Sequence, residues 1–416
     1  MTGLAGGPLT RERCAALDAT DPLASLRDRF QVPDDVVYLD GNSLGAPPRA
    51  AADTVRHLLD EEWGRGLIRS WNEAGWIDAP RRIGDKLGRL IGAAPGQVVV
   101  SDSTSVNLFK LLTAALRARP GRRVILSERD NFPTDLYVAE GVARGMDAVL
   151  RIVDRGELEG AIDESVAVLM LTHVDYRTGF MHDMGSLTEV AHAGGVVALW
   201  DLSHSVAAVP LAVDEWGVDL AVGCGYKHLC GGPGAPAHLY VASRLQEEMR
   251  SSIQGWMGHA DTFGFEAEYR PAPGVLRHLC GTPPMLAMAA LEAAVDLFGS
   301  IDTAEVRRKS VALGDLLIRL VDERLAGRGL VVASPRDGAC RGSQVSLSHP
   351  QGYRVMRALI DRGVIGDFRP PDLMRFGLVP LYVRHVDIWD AVEVLREVID
   401  GELWRDLAYA VRATVT

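Results

Sequence analysis

The stretch VVALWDLSHS, at residues 196–205, and the stretch LAVGCGYKHLCGGPG, at residues 220–234, decide the fold. Each begins as a short, continuous apolar run, which is typical of a strand buried on both faces of a parallel sheet. Each then changes abruptly to polar residues, so that Asp201 ends the first strand and Lys227 follows the second. Open parallel sheets bind ligands beyond the carboxyl ends of their strands. These two strand ends therefore predict a ligand site.

Five further apolar runs surround these two. The candidate strands are VVVS (98–101), VILS (124–127), AVLRIV (148–153), AVLMLT (167–172), VVALWD (196–201), LAVGCG (220–225) and HLYVA (238–242). Stretches with helical spacing lie between them, among them Ser105–Ala118 and Ser186–Ala193. Strands that alternate with helices predict βαβ units and a mostly parallel sheet. We therefore predict an α/β fold in which this sheet is buried under helices.

The pattern changes after Pro284, where long helical runs replace the short strands. The later predicted elements are helices at Met285–Phe298, Thr303–Ala326, Tyr353–Asp361 and Val386–Glu402 and a strand at Ser343–Ser348. This mixture predicts a second, smaller α+β domain. We divide the chain into an N-terminal segment (1–49), a large domain (50–298) and a small C-terminal domain (299–416). A short helix and coil are expected within residues 1–35.

Composition and charge exclude several classes of protein. The net charge of −11 argues against a nucleic-acid partner, because phosphate backbones are bound by clustered Lys and Arg. The opening MTGLAGGPLTRERC lacks the apolar run of a signal peptide, and no segment approaches the roughly 20 apolar residues of a spanning helix. The cysteines are odd in number and scattered: Cys14, Cys224, Cys230, Cys280 and Cys340. We therefore expect a cytoplasmic protein with reduced thiols, no bound metal and no membrane contact.

An aspartate and a lysine at neighbouring strand ends are the pair that pyridoxal 5′-phosphate (PLP) requires. A carboxylate keeps the pyridine nitrogen protonated, and an amine forms an imine with the aldehyde. Lys227 lies 26 positions after Asp201, which leaves room for one crossover and one strand. The alternative is an Asp201 that caps a helix and a Lys227 that lies in solvent. The glycines at 225, 231, 232 and 234 favour the ligand site because they permit close approach of the backbone.

A phosphate site is predicted after the strand VVVS, where Ser103, Thr104 and Ser105 begin a helix. Free N–H groups and the helix dipole attract phosphate to such an end. The alternative is an ordinary hydroxyl N-cap without a ligand.

Eight motifs resemble those of one family, both in their residues and in their order along the chain. They are YLDGNSLG (38–45), NFPTDLY (131–137), LTHV (171–174), WDLSHS (200–205), GYKHLCGGPG (225–234), GWMGH (255–259), CGTPP (280–284) and RFGLVPLY (375–382). Through them the chain resembles kynureninase, a branch of the fold type I PLP enzymes. The resemblance implies a large domain with a mostly parallel seven-stranded sheet and a smaller α+β domain. It also implies hydrolysis of L-kynurenine or 3-hydroxykynurenine to anthranilate or 3-hydroxyanthranilate and L-alanine, in tryptophan catabolism.

The resemblance also implies roles for single residues around the cofactor. Lys227 would hold PLP as a Schiff base, Asp201 would pair with the ring nitrogen, and Tyr226 would contact the phosphate and donate a proton. Further cofactor contacts would come from Thr104 and Ser105 at the phosphate, Phe132 on one ring face, Asp135 near the ring nitrogen, and Thr172 and His204 around the ring. Trp256 and Thr282 would reach the phosphate from a partner subunit, which implies a homodimer with its active site at the interface. Related enzymes can carry Asn where this chain has Thr282.

Four residues would contact the substrate. Arg375 would bind the α-carboxylate through a planar bidentate fork, and its apolar neighbours Leu373, Met374 and Phe376 favour a buried position. Asn42 and Ser43 would line the mouth of the site. Trp71 would face the aryl ring of the substrate.

Three alternatives stay open at this point. A cysteine desulfurase or selenocysteine lyase would need a reactive cysteine, and Cys340 lies 113 positions after Lys227. An aminotransferase would need a second, keto-acid substrate. A non-catalytic interaction module would not need Lys227, Asp201 and Arg375, all of which are present.

Overall fold

The computed structural model describes residues 7–412, which form a large sheet covered by helices and a smaller sheet near the C-terminus. The helices are α1 (Arg11–Ala19), α2 (Arg49–His57), α3 (Ser70–Glu73), α4 (Ala79–Ile91), α5 (Thr104–Ala118), α6 (Pro133–Gly145), α7 (Met184–Ala193), α8 (Met285–Phe298), α9 (Thr303–Arg324), α10 (Gly352–Ile360) and α11 (His385–Asp400). The strands are β1 (Val37–Tyr38), β2 (Val98–Val100), β3 (Val124–Glu128), β4 (Val149–Val153), β5 (Val166–Thr172), β6 (Val197–Asp201), β7 (Leu220–Gly223), β8 (His238–Val241), β9 (Val331–Val332), β10 (Gln344–Ser348), β11 (Val364–Ile365), β12 (Asp367–Arg369) and β13 (Leu373–Gly377).

The large sheet has seven strands in the order β2-β8-β7-β6-β5-β3-β4, which confirms the predicted α/β fold. Its pairs are parallel except that β8 runs antiparallel to both β2 and β7. Every residue of β5, β6 and β7 is buried, as their continuous apolar sequences predict. Thr172 pairs in register with Asp201, and Asp201 with Val222, so the carboxyl ends of these three strands lie side by side.

The smaller sheet is antiparallel, with the order β12-β13-β10-β9, and α10 packs against β12 and β13. This confirms that strands and helices mix in the C-terminal part. The N-terminal segment packs there too, because β1 pairs with β11 and Asp18 accepts hydrogen bonds from the first backbone N–H groups of α11. The domain limits at residues 50 and 299 stay a prediction.

The short helix and coil predicted near the N-terminus are confirmed for the described residues. Helix α1 and a 3₁₀ turn at Ala24–Arg29 account for the expected short helix, and residues 1–6 of MTGLAGGPLTRERC lie outside the described part. Among the helices of residues 7–412, none combines the length and the apolar character needed to cross a bilayer.

Candidate active site

Two carboxyl groups meet at the carboxyl ends of β5 and β6. Asp201 ends β6, is buried, and accepts hydrogen bonds from the backbone N–H and the hydroxyl of Ser203 at 2.8 and 2.6 Å. Asp135, in the first turn of α6, is also buried and hydrogen-bonds to Asp201 and to the Thr172 hydroxyl. Burial and the charge of Asp201 raise the pKa of Asp135 well above its ordinary value. Of these two adjacent carboxyl groups, Asp135 is therefore made harder to ionise by its surroundings.

Lys227 lies beside this pair, since its positive charge acts to lower the pKa of Asp135. Its Nζ is 3.0 Å from Nε2 of His204 and 5.6 Å from the centre of the Phe132 ring. Burial, followed by the charge of Lys227, lowers the pKa of His204 well below its usual range, so the imidazole is neutral. A neutral ring that accepts at Nε2 carries its proton on Nδ1. That buried Nδ1 has no partner among the described residues.

Within the described residues, Lys227 differs from the other lysines because it forms no ion pair with a carboxylate. The sequence contains four lysines and 40 arginines. The other three lysines pair with carboxylates, Lys86 with Glu292 and Asp296, Lys110 with Asp102, and Lys309 with Asp21. Within residues 7–412, Lys227 has no such partner within 4 Å and contacts a neutral imidazole instead. The Lys227 amine is thus held in place by His204 rather than by a carboxylate counter-ion.

Phe132 is held beside Lys227 by a buried amide that sequence reasoning missed. Asn131 accepts hydrogen bonds from the Phe132 N–H, at 2.8 Å, and from the Thr172 hydroxyl. Its Nδ2 donates to the Ser127 hydroxyl at 2.8 Å. The Phe132 ring also meets the ring of Tyr176 edge-on at 5.1 Å. Asn131 lies within the motif NFPTDLY, and its position between a strand and a helix start was the available signal.

The predicted phosphate site has the local structure of a capped helix. The Ser103 hydroxyl accepts from the Val106 N–H at 3.4 Å, and Thr104 and Ser105 are the first two residues of α5. The preceding Asp102 has φ +51° and bonds to the buried Lys110, which also donates to the His278 carbonyl at 2.6 Å. This turn is thereby tied to the CGTPP segment. Thr282 and Asp102 line one cavity of about 260 Å³.

Tyr226 lies near Asp201, and the two predicted tryptophans lie against each other. Burial, together with the neighbouring Cys224, raises the pKa of Tyr226 above its ordinary value, so the phenol is protonated at neutral pH. The Trp71 ring contacts the rings of Trp256 and Trp76 at 5.9 and 6.1 Å between centroids. The structure therefore brings Trp71 and Trp256 together.

Arg375 is buried in β13, as its apolar neighbours predict, but most of its N–H groups are committed within the protein. Its Nε and Nη2 donate to Asp367 as a bidentate pair, Nη2 also donates to the Ser43 hydroxyl at 3.0 Å, and Nη1 donates to the Tyr176 carbonyl at 2.5 Å. A guanidinium has five N–H groups, so one on Nη1 is left. Sequence reasoning missed Asp367, which pairs with Arg375 in register across β12 and β13.

The segment that contains Asn42 and Ser43 connects Arg375 with the lysine region. The Ser43 hydroxyl donates to Asp367 at 2.6 Å, and the buried Asn42 donates to Gln344 at 3.3 Å. A few residues on, the Gly45 N–H donates to the Tyr226 carbonyl at 2.8 Å. Ser43 therefore lies against Arg375, whereas Asn42 is fully buried against Gln344, so the prediction that Asn42 lines the mouth is wrong.

Cys340 lies at the surface, in a short turn at Gly338–Cys340. Its backbone carbonyl accepts from the Met181 N–H at 2.9 Å.

Comparison with solved structures places this architecture among known folds. The chain is similar to a cysteine desulfurase from Thermococcus onnurineus NA1, with a TM-score of 0.76, 17% identity, and coverage of 91% of this chain and 98% of that one. It is also similar to the cysteine desulfurase CsdA from Escherichia coli, with a TM-score of 0.75, 20% identity and the same coverage. At such identities the likeness concerns the fold, which is that of fold type I enzymes.

Comparison of sequences is more specific. Residues 306–395 match the family described as the kynureninase C-terminal domain. A kynureninase from Burkholderia pseudomallei (strain 1106a) is 52% identical over 414 residues, which cover 98% of this chain and all of that protein. A kynureninase from Pseudomonas fluorescens is 51% identical with the same coverage. Because half of all residues are identical along almost the whole length, the chain belongs to the kynureninase family.

Proposed function

We propose that the chain uses PLP to hydrolyse L-kynurenine, giving anthranilate and L-alanine. The observation that carries this is the meeting of Lys227, without a carboxylate partner, and the Asp135–Asp201 pair at the ends of neighbouring strands, in a chain about 52% identical to kynureninases. A cysteine desulfurase and an aminotransferase are not favoured, since the full-length relatives in these comparisons carry the name kynureninase.

The residues present fit PLP. The amine of Lys227 is available for the aldehyde, the adjacent carboxyl groups of Asp135 and Asp201 suit a protonated ring nitrogen, and the buried Nδ1 of His204 has no partner within residues 7–412. We assign one ring face to Phe132, the ring surroundings to Thr172 and His204, and the phosphate to Thr104, Ser105 and Tyr226. When bound, PLP supplies an aldehyde that captures the substrate amine and a ring that accepts electrons from the bonds to Cα.

The protein moves the protons. Lys227, once free of the cofactor, would remove the α-proton of kynurenine, and the neutral His204, 3.0 Å away, would hold its amine in position. Water then adds to the γ-carbonyl of the substrate, and the bond between Cβ and Cγ breaks to release anthranilate. The protonated phenol of Tyr226 supplies a proton at this stage. Arg375 holds the α-carboxylate, Ser43 lies beside it at the entrance with the buried Asn42 behind, and Trp71 faces the aryl ring.

We further propose a cytoplasmic homodimer in which Trp256 and Thr282 contact the phosphate of the partner's site. Phe263 and Phe265 support this, because they are 58% and 77% exposed and extend the apolar surface from the ring of Trp256. The described cysteines are all free, which suits a reducing compartment. Comparing turnover of kynurenine and 3-hydroxykynurenine decides which ring the pocket prefers.

The function is tested by product analysis of the PLP-loaded protein. Kynurenine is expected to give anthranilate and alanine in equal amounts, without any keto acid and without sulfide from added cysteine. Cys340→Ser is expected to leave this rate within about twofold of wild type, because surface substitutions away from a site have small effects. Sulfide release that disappears in Cys340→Ser would instead establish a desulfurase, and keto-acid-dependent turnover would establish an aminotransferase.

Arg375→Lys is expected to raise KM for kynurenine by about 10- to 100-fold and to change kcat less. A lysine keeps the charge but cannot pair bidentately with Asp367 and still offer an N–H to a substrate carboxylate, so the loss falls on binding. Steady-state kinetics measure the two constants. Arg384→Lys is the control, since Arg384 pairs with Asp387 at the start of α11 and is partly exposed. An unchanged KM in Arg375→Lys would remove Arg375 from the substrate site.

A further inference from the structure

Four charged side chains form a cluster, called here the arginine cluster: Asp40, Asp367, Arg369 and Arg375. Asp367 is 2% exposed and accepts from both arginines, from Arg375 through the bidentate pair and from Arg369 at 2.8 Å. Two guanidinium groups and one carboxylate leave this cluster with a net charge of +1 before Asp40 is counted. A single further anion would balance it.

Asp40 faces this charge from the end of β1. Its backbone bridges to Gly377, two positions after Arg375 on β13. One carboxyl oxygen, Oδ1, is sealed from solvent and has no hydrogen-bond partner among the described residues. Burial, and next the charge of Asp367, raise the pKa of Asp40 to about 7, while Ser43 and the two arginines act in the opposite direction. Asp40 therefore changes charge near neutral pH.

The other titratable groups that face Asp40 do not change charge there. Tyr38 and Tyr382 face Asp40, and Cys230 lies beside both tyrosines. Burial raises the pKa of each of the three above its ordinary value, so all are neutral near pH 7. Asp367 stays ionised, because the arginines lower its pKa below the ordinary value. Asp40 is thus the group in this cluster that can supply or remove one negative charge at neutral pH.

A substrate carboxylate would bring that same charge. Resting on the proposed role of Arg375, we propose that Asp40 is the counter-charge of the substrate site, and that it takes up a proton when a carboxylate binds at Arg375. Ionised Asp40 together with a bound carboxylate would leave the cluster with a net negative charge in a partly buried place, which is unfavourable. Asp40 and the ligand therefore alternate as the balancing anion.

The proton uptake by Asp40 determines how the affinity for a carboxylate changes with pH. Below about pH 7 Asp40 is already neutral, and the carboxylate binds without further proton uptake. As pH rises above this value, binding must protonate Asp40, and affinity falls by up to about tenfold per pH unit. The ligand does not contribute to this change, since a carboxylic acid with a pKa of about 4.3 is ionised throughout.

Binding without turnover tests the proposal on the PLP-loaded protein. The probe is 4-oxo-4-phenylbutanoate, which has an aryl ketone and a carboxylate but no amine, and its primary amide corrects for pH effects on the cofactor. From pH 6.5 to 8.5, the affinity for the carboxylate relative to the amide is expected to fall at least about fivefold in wild type. In Asp40→Asn, which mimics the protonated acid, the ratio is expected to stay at its low-pH value.

Asp372→Asn is the control and is expected to keep the wild-type slope, since Asp372 bonds to Ser348 in the same sheet. A slope in Asp40→Asn equal to that of wild type overturns the proposal. If Asp40→Asn does not fold, the wild-type ratio decides alone, and a flat ratio, or a carboxylate bound no better than the amide at any pH, overturns it. This test can fail independently of the test of the proposed function. Hydrolysis of kynurenine without a pH-dependent affinity ratio refutes this inference only. A pH-dependent ratio without hydrolysis refutes the proposed activity only.

Discussion

Lys227→Ala is expected to lose kynurenine hydrolysis by at least about 10⁴-fold, the largest effect predicted for any single change. Proton transfer by a positioned side chain is by itself worth about 10²- to 10⁴-fold, and Lys227 would also hold the cofactor covalently. No other lysine can substitute, because the remaining three are tied to carboxylates, two of them buried. Anthranilate fluorescence measures turnover, and borohydride reduction followed by mass analysis measures covalent attachment.

Lys86→Ala is the matched control for this experiment. Lys86 is partly exposed and paired with Glu292 and Asp296, so its removal is expected to leave turnover within about twofold and the attached cofactor in place. Turnover in Lys227→Ala above about one hundredth of wild type, or borohydride-fixed cofactor on another residue, would contradict the assignment.

Asp201→Asn is expected to lower kcat by about 10²- to 10³-fold, the size of effect seen when one preorganised electrostatic contact is removed from a reacting centre. Asp201 receives two hydrogen bonds from Ser203, whereas Asp135 is buried beside it with a pKa raised by burial and by the charge of Asp201. An amide at 201 removes the negative charge that would keep the ring nitrogen protonated. Steady-state kinetics and the absorbance of bound PLP are the measurements.

Asp135→Asn is the comparison variant for Asp201→Asn. An amide resembles a protonated carboxyl group and can still donate to Asp201, so the loss in kcat is expected to be within about tenfold. Equal losses in the two variants would show that the charge is not divided between the carboxyl groups as their hydrogen bonds indicate.

The sequence predicted the large sheet well because its strands are buried on both faces. Continuous apolar runs such as those ending at Thr172 and Asp201 have no alternative to a covered parallel sheet, and their polar ends then had to lie together. The placement of Asp201, Thr172 and Lys227 at one edge follows from this rule. The motif resemblance assigned Phe132 and His204 to the surroundings of the cofactor ring, which stays a prediction, and the structure places both beside Lys227.

The partners of these residues could not be predicted in the same way. Asp367 meets Arg375 only because of a register between two short strands, and Tyr176 contributes a backbone carbonyl, which no residue type reveals. Lys110 reaches a carbonyl 168 positions away in sequence. Such contacts depend on loop paths rather than on local pattern, and they are the ones that determine how many N–H groups of Arg375 stay available.

The pairing of β12 with β13 places a constraint on the connection between them, residues 370–372. Side chains of a strand alternate between the two faces, so gaining or losing one residue in this connection would turn Asp367 to the opposite face from Arg375. A connection of three residues is therefore expected to be needed to keep that guanidinium paired. Insertion or deletion of one residue in this short stretch is expected to separate Asp367 from Arg375.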